Sequence, residues 1–315
     1  MSLEPLEPLE PLETLESNIF QLQADRGWCD LQSGLESRLG LNLGLNYWHW
    51  PGKTSGETPV LLLHGLADHG LVWANLAQSL KAIGSNYHWA APDLRGHGDS
   101  SKPNQGYRCV DFIADLKAFV EHLGWSKFHV ISHSWSGKLA TLWATEEPDR
   151  FLSLTLVDPF FIGKMPPWVS LTFPVLYKTL PFLKTLGSFS DRAVLETLAQ
   201  GLKQYRGWSP HQQMVFQASI EQKTDGSWGS KFVAPARNEV FAEITQISGL
   251  PQPLQIPTLL ITPEQGLNRF AWQIRPFQQT ITPLSIQAIP GNHWPFLVSP
   301  DPFHRTIAEW LERLA

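Results

Sequence analysis

Lys127-Phe128-His129-Val130-Ile131-Ser132-His133-Ser134-Trp135-Ser136-Gly137-Lys138-Leu139-Ala140 passes from a short apolar run, through a knot of serines, into helix-forming residues. Phe128 to Ile131 reads as a buried strand, and Lys138 onward reads as the start of a helix. A serine on a sharp turn between the two is lifted above the sheet edge, its hydroxyl free of local hydrogen bonds. The turn is tight, so the residues two before and two after Ser134 must be small. Ser132 and Ser136 meet that requirement. Serine, tryptophan and glycine also share ordinary loops, so the weight of this run rests on what flanks it.

Three further stretches carry that weight. Pro59-Val60-Leu61-Leu62-Leu63 is a buried-strand run ending in His64-Gly65-Leu66. Trp89-Ala90-Ala91-Pro92 leads into a Gly-rich turn, Asp93-Leu94-Arg95-Gly96-His97-Gly98-Asp99-Ser100. Far downstream, Gly291-Asn292-His293-Trp294 follows the strand-like Leu284 to Ala288. At these four places the chain resembles the α/β-hydrolase superfamily, especially its capped esterase and haloalkane-dehalogenase-like branch, from roughly residue 40 to the C-terminus. It departs from the family at Ser132 and Ser136, where the usual G-x-S-x-G pattern has glycines. The resemblance implies an α/β fold: a mostly parallel eight-stranded sheet, helices on both faces, and a helical cap inserted after the sixth strand.

The alternation of signals agrees. Strands are expected near 59–64, 88–93, 127–132, 152–157, 257–262 and 283–288, with a half-buried early strand from Leu41 to Trp50. Helices are expected near 73–83, 109–123, 136–146, 267–279 and 302–313. Such a βαβα succession gives a parallel sheet covered on both sides, with chemistry at the carboxyl ends of strands, where His64, Asp93, Ser134 and Asp158 fall. The pattern breaks between about Phe161 and Leu250, which has helix punctuation and no clear strand. There Ser209-Pro210-His211-Gln212 is a capping box with proline at the first helical position. Val194, Leu198 and Leu202 form a helical stripe. Trp168, Phe173, Tyr177, Phe182, Tyr205, Trp208, Phe216 and Trp228 supply bulk, most of it for internal packing and a few rings for the pocket. The expected organisation is a core of residues 17–160 and 251–315, with 161–250 as the cap. Residues 1–16 carry a Leu-Glu-Pro repeat whose regular prolines forbid a helix and predict a disordered tail.

A serine nucleophile needs a base, and a neutral histidine is the fitting one. In the resembling family the chain order is serine, acid, histidine. Among the late histidines, His211 lies in the capping box and His304 in the last helix, where a solvated face is the default. His293 sits in a loop after a late strand and is the expected base. The family's acid usually follows the seventh strand, in a pattern like leucine-isoleucine-x-glycine-x-x-aspartate. Here the stretch is Leu260-Ile261-Thr262-Pro263-Glu264-Gln265-Gly266, and Gly266 stands in the aspartate's place. Some relatives carry the acid after the sixth strand instead, and Asp158 matches that position, 24 residues past Ser134. Asp158 is the expected acid and Glu264 the alternative; the third possibility is no acid at all. By the same resemblance, the backbone N–H groups of Leu66 and Trp135 form the oxyanion hole.

Composition sets the limits. The 315 residues are 43% hydrophobic and 17% charged, enough apolar material for a large core. A net charge of −5 without a Lys/Arg cluster argues against nucleic acid or an anionic membrane as partner. Two cysteines, Cys29 and Cys109, offer neither a disulfide framework nor metal spacing, so no metal or cofactor is expected. There is no 18-residue apolar run and no signal-peptide pattern, which predicts a soluble, cytoplasmic protein without a transmembrane segment. Oligomeric state is not written in the sequence. The expected activity is hydrolysis of a small to medium apolar carboxylic ester through an acyl-enzyme. The resembling dehalogenases and epoxide hydrolases need a carboxylate nucleophile, which Ser134 is not. Carbon–carbon bond hydrolysis, lactonase and perhydrolase activities share the same triad. A non-catalytic ligand-binding protein on this scaffold is the contrasting class, favoured by Gly266 and opposed by Ser134 and His293.

Overall fold

In a computed structural model, residues 24–31, 43–52, 57–84, 86–172, 175 and 180–315 are described. The Leu-Glu-Pro tail of residues 1–16 lies outside them, as do Phe173 and Tyr177. The described chain begins with an antiparallel pair, β1 (Asp25–Leu31) and β2 (Leu43–Trp50). Strand and helix then alternate through β3 (Thr58–Leu63), α1 (Ala74–Ala82), β4 (Tyr87–Pro92), α2 (Cys109–His122), β5 (Phe128–His133), α3 (Ser136–Glu146) and β6 (Phe151–Val157). A long excursion follows, with α4 (Arg192–Gln200), α5 (Pro210–Ser219), a small hairpin of β7 (Ile220–Gln222) and β8 (Trp228–Ser230), and α6 (Ala234–Ile244). The chain returns as β9 (Thr258–Gln265), α7 (Ala271–Thr280), β10 (Leu284–Asn292), a one-turn α8 (Pro295–Val298) and α9 (Pro300–Glu312).

The eight-stranded sheet has the order β1-β2-β4-β3-β5-β6-β9-β10. Only the β1/β2 and β2/β4 pairings are antiparallel. This is the α/β-hydrolase sheet. Its apolar runs work because both faces are buried. On β3, Leu61 and Leu63 join the core under α2 and α3, while Val60 and Leu62 join the opposite core under α1 and α9. All four are fully buried, and truncating either Leu61 or Leu62 to alanine would cost about 2–5 kcal/mol. No helix among the described residues is long and apolar enough to cross a membrane.

Several expectations change. β2 is buried nearly throughout rather than half-buried, because its side chains enter both cores, Leu43 and Leu45 one and Trp48 and Trp50 the other, while β1, which has little apolar alternation to announce it, pairs along its outer edge. The excursion contains the β7/β8 hairpin where no strand was expected. On α4 the inward positions are Leu195 and Ala199, while Val194 is 52% exposed and Leu198 half-buried, so within the helix the expected stripe was one residue out of phase; Leu202, beyond the helix end, is buried as expected. His304 is only 8% exposed, and burial pushes it down to a pKa of about 4. The Ser209 capping box forms as expected: Ser209 Oγ accepts from Gln212 N–H, and Gln212 Oε1 accepts from Ser209 N–H.

Candidate active site

β5 ends at His133, and the chain turns so sharply that Ser134 takes a left-handed backbone with φ of 58°. That conformation costs a non-glycine residue about 1–2 kcal/mol. The turn is held by Ser134 N–H donating to Val157 O (3.0 Å), and by Phe160 N–H and Gly137 N–H donating to Ser134 O (3.1 Å each). Ser136 does more than stay small. Its hydroxyl lies 2.8 Å from His133 O and 3.2 Å from Leu63 O, tying the turn to β3. The close approach falls at Gly137, where a Cβ would come 3.0 Å from Pro159 Cβ.

The turn delivers Ser134 Oγ to 2.9 Å from His293 Nε2. On its other side His293 Nδ1–H donates to Asp158 Oδ2 at 2.7 Å. The donation at Nδ1 leaves the Nε2 lone pair facing the serine hydroxyl, the tautomer a general base requires. Asp158 is fully buried at the end of β6 and also has a positive φ, 43°. Its carboxylate accepts from Leu267 N–H (2.8 Å), Asn268 N–H (3.0 Å) and Asn268 Nδ2–H (2.9 Å). Burial alone would raise its pKa. The hydrogen bonds from His293, Leu267 and Asn268 outweigh that and hold the carboxyl below its ordinary range.

Glu264 is exposed near the end of β9, and among the described residues no hydrogen bond joins it to His293. Gly266, two residues on, lies directly beneath Asp158: a Cβ there would stand 2.5 Å from Asp158 Oδ2. The glycine in the usual acid position is therefore the space the Asp158 carboxylate fills. Leu267 and Asn268, which hold that carboxylate, were not anticipated, and nothing in their sequence context signals it.

Leu66 and Trp135 both line the cavity with Ser134. Among the described residues, neither of their backbone N–H groups is given to another acceptor. The Leu66 loop is fixed from below. His64 Nε2 accepts from Leu94 N–H (2.9 Å), so its Nδ1–H donates to Gly65 O (2.7 Å). Burial, only partly offset by that bond to Gly65, lowers the His64 pKa to about 4, which makes it a neutral strut. Asp93 is likewise structural, accepting from Gly70 N–H, Asn46 Nδ2–H and Asp99 N–H. His133, also unforeseen as a site residue, is buried and donates through Nε2–H to the His293 carbonyl at 2.7 Å.

The cavity over Ser134 measures about 560 Å³. From the excursion it receives Leu180, Val240, Phe241 and Ile244, with Phe160 beside them. Of Trp168, Tyr205, Trp208, Phe216 and Trp228, singled out from the sequence, none lines it; Tyr205, Trp208 and Phe216 pack on one another instead.

Comparison with known proteins agrees with this fold. The family described as "alpha/beta hydrolase fold" matches residues 58–300. A soluble epoxide hydrolase of a Corynebacterium strain is 37% identical over 110 residues, 35% of this chain and 37% of that protein. Lipase LipV of Mycobacterium tuberculosis is 37% identical over 106 residues, 33% of this chain and 38% of that protein. The chain thus spans little more than a third of the length of these curated relatives. The solved structure of E-2-(acetamidomethylene)succinate hydrolase superposes with a TM-score of 0.72 at 18% identity, covering 92% of this chain and 99% of that one, a likeness of fold alone.

Proposed function

The chain belongs to the alpha/beta hydrolase family, and on that premise we propose that it is a serine hydrolase of small to medium apolar carboxylic esters. The observation carrying the proposal is the continuous relay Ser134 Oγ, His293 Nε2, His293 Nδ1, Asp158 Oδ2. In this reading Ser134 Oγ attacks the ester carbonyl while His293 Nε2 takes its proton. The charge that develops on the carbonyl oxygen meets the N–H groups of Leu66 and Trp135, each contributing about 3 kcal/mol to the barrier lowering. His293 then returns the proton to the departing alkoxide, and water hydrolyses the acyl-enzyme by the same route reversed. Residues 161–250 act as a cap whose underside shapes the acyl pocket. Two free, buried thiols, Cys29 and Cys109, fit a reducing, cytoplasmic setting. Carbon–carbon, lactone and perhydrolase chemistry would use the same relay. A purely ligand-binding role loses the support of Gly266, because Asp158 stands in for the missing acid.

The test is fluorophosphonate labelling together with a homologous ester series from acetate to decanoate. Ser134 should take the label, and kcat/KM should climb severalfold per carbon, about 0.8 kcal/mol per methylene, until the cavity is full. Ser134→Ala and His293→Ala should each lower turnover ~10⁴-fold or more, and the double variant little further. Near-native turnover by Ser134→Ala on any of these esters would overturn the assignment.

A further inference from the structure

The polar part of the same cavity has a charge bias that the ester reading does not use. Lys203 and Arg269 both line it. Neither has an ion-pair partner among the described residues, and no described lining residue is Asp or Glu. This occurs in a chain of net charge −5. Gln204, beside Lys203, also lines the cavity; it is only 6% exposed, and its side-chain amide makes no hydrogen bond among the described residues. An amide that opens on the cavity and is uncommitted among the described residues can donate to a ligand's oxygens. Two cations, an idle amide and no competing carboxylate make a receptor for an anion.

Where these groups sit decides which end of the substrate carries the charge. Lys203 is tied to the residue before His293, through Asn292 Nδ2–H donating to Lys203 O at 2.8 Å. Arg269 follows Asn268, which holds the Asp158 carboxylate. Both cations therefore flank the histidine–acid side of the cavity. Phe160 is tied instead to the nucleophile turn, its N–H donating to Ser134 O at 3.1 Å, and its ring is edge-on to Phe241 at 6.2 Å; Phe241, Leu180 and Ile244 supply apolar lining to the same cavity. In acyl transfer the histidine protonates the leaving oxygen, so the leaving group lies over His293 and the acyl chain away from it.

Resting on the serine-hydrolase reading above, we propose that the substrate is an apolar acyl ester or thioester whose alcohol or thiol bears a phosphate or carboxylate, held by Lys203, Arg269 and Gln204. The bond from Ser134 Oγ to the acyl carbon forms as the bond from that carbon to the leaving oxygen or sulfur breaks. The serine proton passes through His293 Nε2 to the leaving atom, and the anion departs unchanged on the alcohol or thiol.

The test uses butanoyl esters of three phenols that differ only in their para group: carboxymethyl, phosphonomethyl and the neutral methoxycarbonylmethyl. Phenyl hemiglutarate, with the charge on the acyl side, and phenyl butanoate form a control pair. At least one anionic phenol ester should exceed the neutral one in kcat/KM by about tenfold, mainly through KM and less so at high salt. The ranking of the two anions identifies the headgroup. In Lys203→Met/Arg269→Met the ratio of anionic to neutral rates should fall toward one, and Gln204→Leu should lower it in part. Equal or faster turnover of the neutral ester, retention of the ratio in the double variant, or a larger gain for hemiglutarate would each overturn the subsite. Ser134-dependent turnover of the neutral ester would leave the hydrolase reading standing in those cases. Absence of turnover on every ester, with no fluorophosphonate labelling, would fell that reading and the subsite together.

Discussion

β6 and β9 run side by side and end over the same histidine, yet only one of them brings it a carboxylate. β6 stops at Asp158, whose left-handed turn swings the side chain under His293. β9 runs on into Gln265-Gly266-Leu267-Asn268 and offers N–H donors plus a bare backbone. The two ends are complementary and mutually exclusive. Any side chain at residue 266 would occupy the volume that Asp158 fills, 2.5 Å from its oxygen. What the chemistry needs is a carboxylate at one point in space, in contact with His293 Nδ1. Which strand supplies it is free to differ, provided the neighbour gives way.

Asp158→Asn attacks that contrast most directly and should have the largest effect. Both Asp158 oxygens accept from N–H donors, so an asparagine there must turn its NH₂ toward one of them or toward His293. The histidine is then driven to the wrong tautomer, and kcat should fall about 10³- to 10⁴-fold. Glu264→Gln, measured on the same ester, should stay close to wild type. A larger loss for Glu264→Gln would transfer the acid to β9 and break the comparison. Fluorophosphonate labelling rates give a second readout that does not depend on the choice of ester.

Gly266→Ala is the next test. The new Cβ would force the carboxylate or the loop to move, and a displacement near 1 Å in a catalytic contact can cost about 10²-fold in rate. The comparison sharpens further in the exchange Asp158→Gly with Gly266→Asp. Glycine accepts the φ of 43° at residue 158 without strain, and the carboxylate now leaves from β9. The exchanged protein should recover at least about tenfold over Asp158→Gly alone. No recovery would mean that the β9 loop cannot present a carboxylate to His293 at all.

The residues that were legible in the sequence share one property: each stands just past the end of a strand. Ser134 follows β5, Asp158 follows β6 and His293 follows β10, so strand ends marked the site before any geometry was known. Gly266 was visible as a departure, but its reason was not, because the atom it makes room for lies on another strand. Leu267 and Asn268 act partly through the backbone, where side-chain identity carries no signal. The α4 phase was misread because Ala199, a small residue, fills an inward position that a larger side chain would have advertised. β1 escaped notice because its first residues, Asp25, Arg26 and Gly27, show no apolar alternation. Lys203 and Arg269 are far apart in the chain and form a basic pair only around the folded cavity.

Asn268→Ala should have the smallest effect, and its pH dependence says whether β9 truly serves the β6 carboxylate. Asn268 Nδ2–H donates to Asp158 Oδ1 (2.9 Å) and to Pro159 O (2.8 Å). Burial pushes the Asp158 pKa up, and the donors around it more than offset that, holding it below the ordinary value of 3.8. A carboxylate with a depressed folded pKa stabilises the fold above its unfolded pKa, and that stabilisation is lost as the pH falls through the folded value. Removing the amide raises the folded pKa toward 3.8 and shrinks the difference. Near neutral pH the variant should therefore be less stable by about 1.5–3 kcal/mol, the worth of a hydrogen bond to a charged group. As the pH falls below the variant's raised folded pKa the Asp158 share of that gap should begin to shrink, and it vanishes only below the wild type's lower folded value, where both proteins hold a protonated acid. Buried neutral histidines such as His64 and His304, with pKa values lowered to about 4, destabilise both proteins alike as the pH drops below 6.5, so they cancel in the comparison. Thermal melts of the two proteins from pH 7 to pH 3 measure the gap directly. A gap that stays constant across that range would show that Asn268 serves only the Pro159 carbonyl, leaving Asp158 to be held by His293 and the backbone alone.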